Sequence, residues 1–246
     1  MKFIRSLFFN IQFYLGTSVL VTICLPCLLF PRPAVLFVNR VWCLLMIKGM
    51  KWWLNTDIKV EGELPSKDKV VIYAIKHQSA WETVFCTDFF SMPSIVLKKA
   101  LIFLPVIGLY FLRSGAIPIT RDQGINALKK MGRNAKIAVK NNRSMMIFPQ
   151  GTRVSPGVSP KEKPYLPGVF FLYSQTKVAV VPVAHNAGLI WPKNSFIKYP
   201  ERLSSKSVTL KILPEIQPGL QKKEFLSRLE TEIENASNEL IKKELS

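Results

Sequence analysis

From Ser6 to Pro31 the chain runs 26 residues without a charged side chain. About 20 apolar residues are enough to cross a bilayer, so this run has either to enter a membrane or to be covered by protein. Lys2 and Arg5 precede it, as in a signal peptide, but no small-x-small cleavage site follows Leu29 and Phe30. Pro26, Pro31 and Pro33 interrupt the pattern. A second apolar segment then extends from Ala34 to Leu54 and carries Arg40, Lys48 and Lys51 with Trp42, Trp52 and Trp53. Basic residues and tryptophans together suit the membrane interface. Positive charge flanks the pair of segments on both sides, whereas a single span would show asymmetry. The reading is a helical hairpin dipping into one leaflet, with residues 1–60 as the membrane-associated part. A helix crossing from Phe8 to Phe30, anchored by Arg32 on the far side, is the alternative.

The remaining residues, 61–246, read as one domain. The whole chain of 246 residues has 34 Lys and Arg against 16 Asp and Glu, a formal charge of +18, with a mean hydropathy of +0.18. A chain this apolar is not disordered, so the charge belongs to a folded protein that meets a polyanion, either nucleic acid or an anionic membrane surface. Between Phe89 and Pro200 only Asp122 and Glu162 are acidic, so most of the excess lies on the domain. Aromatic residues are not interleaved with the basic ones as a nucleic-acid stacking platform needs, which leaves the membrane and no nucleic acid. Cys24, Cys27, Cys43 and Cys86 form no disulfide framework, three of them lying in the apolar segments.

From about residue 68 short β-rich runs alternate with helical stretches. Strands are expected at 69–74, 94–97, 116–120, 144–149, 177–183 and 207–213, and helices over 79–90, 103–112 and 124–141. From residue 221, Phe225, Leu229, Ile233, Ala236 and Leu240 recur at helical spacing, which predicts an amphipathic helix packed on the domain. The pattern is that of an α/β fold with a mixed, largely parallel sheet flanked by helices.

The first strand delivers His77 to its carboxyl end, where ligands approach an open α/β sheet, and Glu82 follows five positions later. On one continuous helix five residues turn by about 500°, so the two side chains meet only if His77 precedes the helix and Glu82 lies in its first turn. The carboxylate would then fix the imidazole tautomer and leave the other nitrogen to take a proton from a substrate hydroxyl. A structural alternative exists, because Ser79-Ala-Trp-Glu82 has the form of a capping box. Arg121 and Arg153 end or follow two further strands, where their guanidinium groups suit a phosphate. Gly151 and Thr152 mark a tight turn whose amides suit an anion.

His77-x-x-x-x-Glu82, Gly115 to Arg121, Phe148-Pro-Gln-Gly-Thr-Arg153 and Val180-Val-Pro-Val183 together resemble the four ordered blocks of the glycerolipid acyltransferases, over roughly residues 69–186. The apolar N-terminal pair is similar to the two-helix membrane motif of bacterial members. The resemblance implies transfer of an acyl chain from acyl-CoA or acyl carrier protein to the sn-2 hydroxyl of 1-acyl-sn-glycerol-3-phosphate, giving phosphatidic acid at the cytoplasmic face of a membrane, in bacteria the inner one. It implies no cofactor, no metal and no covalent acyl-enzyme. By position His77 is the base and Glu82 its orienting acid, with Arg121, Arg153 and Lys98 on the acceptor phosphate. Gln150, Gly151, Thr152 and Gly115 hold the acceptor or shape the loops. Two departures stand out: Glu82 replaces the usual aspartate, and Gln150 replaces the usual glutamate. The second leaves open another lyso-lipid as acceptor, such as a lysophospholipid or a lyso-ornithine lipid. From another class, a non-enzymatic basic protein binding anionic lipid would leave the histidine–acid box unexplained.

Overall fold

The computed structural model describes residues 1–120 and 124–245. Seven strands form one sheet: β1 (Asp57–Glu61), β2 (Ile72–Ile75), β3 (Ser94–Lys98), β4 (Ile117–Ile119), β5 (Met145–Ile147), β6 (Val180–His185) and β7 (Ser207–Ile212), in the order β1-β7-β6-β2-β5-β3-β4. The five neighbours from β6 to β4 are mutually parallel, β7 runs antiparallel to β6, and β1 is parallel to β7. The sheet is therefore mixed and mostly parallel, as expected from the alternation. The carboxyl ends of β2, β5, β3 and β4 all open on one edge, which is where His77, Lys98 and the Gly151–Arg153 loop lie.

Side-chain alternation along β2 divides the core in two. Tyr73 and Ile75 join Val181 and Val183 of β6 on one face, under α3 (Arg32–Leu54) and α4 (Trp81–Phe89). Ile72 and Ala74 join Met145 and Ile147 on the other, under α6 (Gly124–Lys140), α7 (Gly168–Thr176) and α8 (Lys222–Leu245). Being covered on both faces, β2 and β6 are buried at every position, which is why they read as continuous apolar runs. The five apolar residues expected to seat the last helix are all buried in α8. On α6 Met131, Ala135 and Ala138 are buried against the sheet, while Ile137 is half exposed. Two elements were not anticipated: β1, a half-exposed edge strand that alternates charged and apolar residues, and α7, whose Val169-Phe-Phe-Leu-Tyr173 run lacks a helical period.

The N-terminal pair consists of α1 (Lys2–Ile11) and α2 (Thr17–Ile23), continuous through a π turn at Gln12–Gly16, followed by a 3₁₀ turn at Leu25–Leu29 and then α3. Lys2–Ile23 and Arg32–Leu54 are long and apolar enough to cross a membrane by length and composition, and little of either is buried in the protein. The pair is nevertheless pinned to the domain at its start. Ser6 and Asn10 are buried; the Lys198 amide donates to Ser6 Oγ at 2.9 Å, Asn10 Nδ2 donates to the Phe196 carbonyl at 2.8 Å, and Lys198 Nζ donates to Asn10 Oδ1 at 3.0 Å. A helix whose buried polar groups are committed to the domain in this way is part of the fold, not a tether. Exposed apolar side chains continue from the hairpin (Leu29, Phe30, Phe37, Trp52) on to Phe103, Leu104, Leu109 and Leu112, the last two on α5 (Ile107–Ser114).

Candidate active site

His77 and Glu82 meet as the spacing required. β2 ends at Ile75, α4 begins at Trp81, and in the turn between them His77 Nδ1 lies 2.7 Å from Glu82 Oε1. The same carboxylate oxygen accepts the backbone N–H groups of Gln78 and Ser79, each at 2.8 Å, while Ser79 Oγ accepts the Trp81 N–H at 3.1 Å. The capping and catalytic readings of Glu82 thus describe one arrangement. The cap freezes the carboxylate in the first turn of α4, and the frozen carboxylate orients the imidazole.

Glu82 is fully buried. Burial pushes its carboxyl up, but the adjoining imidazoles of His185 and His77 and the Ser79 amide outweigh that and hold it below the usual glutamate value. As an acceptor only, it obliges His77 Nδ1 to carry the proton. Nε2 is then the basic nitrogen. The imidazole is held flat against Phe148, ring centroids 4.0 Å apart, which fixes the second rotational freedom of the base.

Behind Glu82 lies His185. It is fully buried, its Nε2 sits 2.7 Å from the Lys76 carbonyl and 3.6 Å from Glu82 Oε2, and its Nδ1 accepts the Ala187 N–H at 3.2 Å. A carbonyl only accepts and an amide N–H only donates, so His185 is the neutral Nε2–H tautomer. Burial pulls its pKa below the usual histidine value. Lys76 is itself buried, its ammonium paired with Glu234 of α8, and Tyr165 donates its hydroxyl to the same carboxylate oxygen at 2.9 Å. Sequence spacing gave no sign of this pair, because its partners lie 158 residues apart.

His77 lines a cavity of about 540 Å³ whose walls are mostly apolar, among them Ile95, Leu97, Leu128, Met131 and Leu166. Lys98, at the carboxyl end of β3, and Gly151 also line it. Gly151 takes a φ of +65°, the left-handed region that glycine adopts without strain, in a turn closed by its amide on the Phe148 carbonyl at 2.8 Å. Arg153 is half-buried, with Nη2 on Asn194 Oδ1 at 3.3 Å, and Thr152 lies beside it, also half-buried. Gln150 is buried and donates to the Lys163 carbonyl at 3.0 Å, away from the cavity lining. Gly115 does not line the cavity; it closes α5 in the left-handed conformation, φ +88°. Arg121 lies outside the described residues.

A histidine fixed by a buried carboxylate, at the mouth of an apolar cavity and with basic residues at hand, suits the activation of a hydroxyl on a long-chain, anionic substrate. The family model described as Acyltransferase matches residues 57–186, over half of the sequence, and the chain belongs to that family. It is 34% identical to the 1-acyl-sn-glycerol-3-phosphate acyltransferase of Pseudomonas aeruginosa over 67% of this chain and 63% of that one. With the enzyme of the same name from Saccharomyces cerevisiae it shares 30% identity over 58% of this chain and 48% of the yeast one. The matched stretch therefore spans about half to under two thirds of these curated relatives. The crystal structure of the 1-acyl-sn-glycerophosphate acyltransferase from Thermotoga maritima superposes with a TM-score of 0.74 over 98% of both chains at 22% identity, which establishes the common fold, the N-terminal pair included.

Proposed function

We propose that this protein acylates the sn-2 hydroxyl of 1-acyl-sn-glycerol-3-phosphate, using acyl-CoA or acyl carrier protein as donor, and so makes phosphatidic acid for phospholipid synthesis. The observation that carries the reading is the His77–Glu82 pair opening on the apolar cavity in a chain of this family. The names of the curated relatives supply the acceptor. His77 Nε2 takes the proton from the acceptor hydroxyl as its oxygen attacks the thioester carbonyl carbon. The tetrahedral intermediate collapses, the carbon–sulfur bond breaks, and the imidazolium returns the proton to the departing thiolate. Products are the ester and a free thiol, with no acyl-enzyme and no cofactor in the cycle.

Lys98, Arg153 and Arg121 are assigned to the acceptor phosphate, whose charge Lys98 meets at the cavity wall. Gln150 donates from Nε2 to the Lys163 carbonyl and does not line the cavity, which is no ground for preferring another lyso-lipid acceptor. The apolar hairpin and the exposed apolar residues that continue it on α5 support attachment to a membrane, and the +18 charge supports an anionic surface, which in this reading is the cytoplasmic face. The reading is tested by incubating the purified protein with a mixture of lyso-lipids and either labelled acyl-CoA or acyl carrier protein, then identifying products by mass spectrometry. Labelled phosphatidic acid as the main product supports it; labelling of a different lyso-lipid in preference reassigns the acceptor.

A further inference from the structure

On the edge of the sheet opposite the catalytic histidine, three arginines gather where the hairpin turns. Arg32 opens α3 and its Nε donates to the Ser114 carbonyl at 2.9 Å; Arg113, in the last turn of α5, donates from Nη2 to the Phe30 carbonyl at 2.7 Å. Arg143 lies two residues before β5. A Cβ on Gly115 would lie 2.3 Å from Arg143 Nη1 and 3.5 Å from Arg32 Nε, so these two guanidinium groups close on one point. Arg32 and Arg143 are half-buried, and none of the three arginines makes an ion pair with a described carboxylate. Each guanidinium has five N–H donors and here meets at most one carbonyl, so most donors await an acceptor. Like charges held this close without a counter-ion cost stability that an anion would recover.

What surrounds them is apolar. Exposed Leu29 and Phe30 lie beside Arg32 in the chain, and Leu109 and Leu112 beside Arg113. A second cavity of about 390 Å³, mostly apolar, runs between the hairpin and the domain, lined by Val21, Leu36 and Val38 on one side and Ile107, Tyr110 and Phe111 on the other. Ser114, whose carbonyl holds Arg32, lines it as well. A charged cluster at one end of an apolar cavity, open to an apolar exposed surface, matches a lipid that carries a phosphate.

We propose that Arg32, Arg113 and Arg143 bind the headgroup phosphate of a membrane phospholipid whose acyl chain enters the cavity between the hairpin and the domain. Thr83, Ile95 and Phe111 form a wall common to this cavity and the catalytic one, but the arginines lie at the other edge of the sheet from His77, and phosphate bound there would dock the hairpin turn onto the lipid surface. The inference rests on the membrane reading above but not on the acyl transfer chemistry, which the same preparations report separately.

The test uses the full chain in a non-ionic detergent, titrated with dioctanoyl phosphatidylglycerol, with dioctanoylglycerol, or with inorganic phosphate, while the unfolding temperature is followed. Phosphatidylglycerol should raise the midpoint of the wild-type protein, and neither the neutral diacylglycerol nor phosphate alone should match it. Replacing Arg113 and Arg143 together by glutamine should weaken the lipid by about ten-fold or more, since each removes charge-assisted bonds to phosphate. Arg153→Ala should leave the lipid response in place. Equal responses in the wild type and the double variant, or loss of the response in Arg153→Ala alone, would overturn the proposal by moving the lipid elsewhere. A response to inorganic phosphate as large as to the lipid would overturn it in favour of a bare anion site. Should the double variant fold poorly, native mass spectrometry of wild-type protein against Arg143→Lys decides. Retained phosphatidylglycerol, reduced in the lysine variant because the planar fork is lost, supports the site, and no retained lipid removes it.

Discussion

The backbone amide of Val154 donates to the carbonyl of His77 at 2.7 Å. Through that bond the loop after β5, which carries Gly151, Thr152 and Arg153, is clasped to the turn that carries the base. The loop that carries Arg153 is therefore tied directly to the turn that carries His77, although 76 residues separate the two in the chain. If Arg153 holds the acceptor phosphate and does not touch the reacting atoms, Arg153→Ala should raise the KM for the lyso-lipid by about ten-fold or more with kcat changed far less. Steady-state kinetics over a range of acceptor concentrations separates the two constants, and an unchanged KM would release Arg153 from this role.

The buried pair of Lys76 and Glu234 predicts a stability effect that its distance in sequence hides. Glu234→Ala would strand a buried ammonium one residue from His77, at a cost of about 3–5 kcal/mol. Replacing both partners, Lys76 by Met and Glu234 by Leu, removes the charges together and should recover most of the loss. Thermal unfolding in detergent reads both variants. A double variant no more stable than Glu234→Ala would show that the pair is not the source.

Acidification should unfold the protein in two stages. His185 is buried neutral with its pKa depressed, so the folded state resists a proton that the unfolded chain accepts below about pH 6.5, and stability falls as pH drops through that value. Glu82, also depressed, contributes stability that is complete above the ordinary glutamate range, about 4.3, and is lost as pH falls below it. His185→Gln should flatten the first stage and leave the second. Unfolding temperatures measured from pH 8 to about pH 2 check this; an unaltered first stage in the variant would point to another group.

Much of this was legible before any coordinates. The covered strands β2 and β6 announced themselves as apolar runs, α8 by its period, and the histidine–glutamate pair by a spacing that only a strand-to-helix turn could close. What stayed hidden was of two kinds. β1 alternates charged and apolar residues on an exposed edge, and α7 is apolar all round, so neither has the period that marks its type. The shell behind the base was hidden for a different reason: His185, Lys76 and Glu234 come together through the packing of β6, β2 and α8, and no local pattern encodes contacts over such separations. Gln150 shows what a motif position leaves out: its Nε2 donates to the Lys163 carbonyl, a contact that no local pattern announces.

The central claim is that His77, held by Glu82, is the base that activates the acceptor hydroxyl. It is tested most directly by the rate of acyl transfer from labelled acyl-CoA or acyl carrier protein to 1-acyl-sn-glycerol-3-phosphate by purified His77→Ala protein, compared with wild type at saturating substrates. The account predicts a loss of at least about 10²–10⁴-fold in kcat with an unfolding temperature close to that of wild type. A folded His77→Ala protein that transfers acyl groups at near the wild-type rate would contradict it.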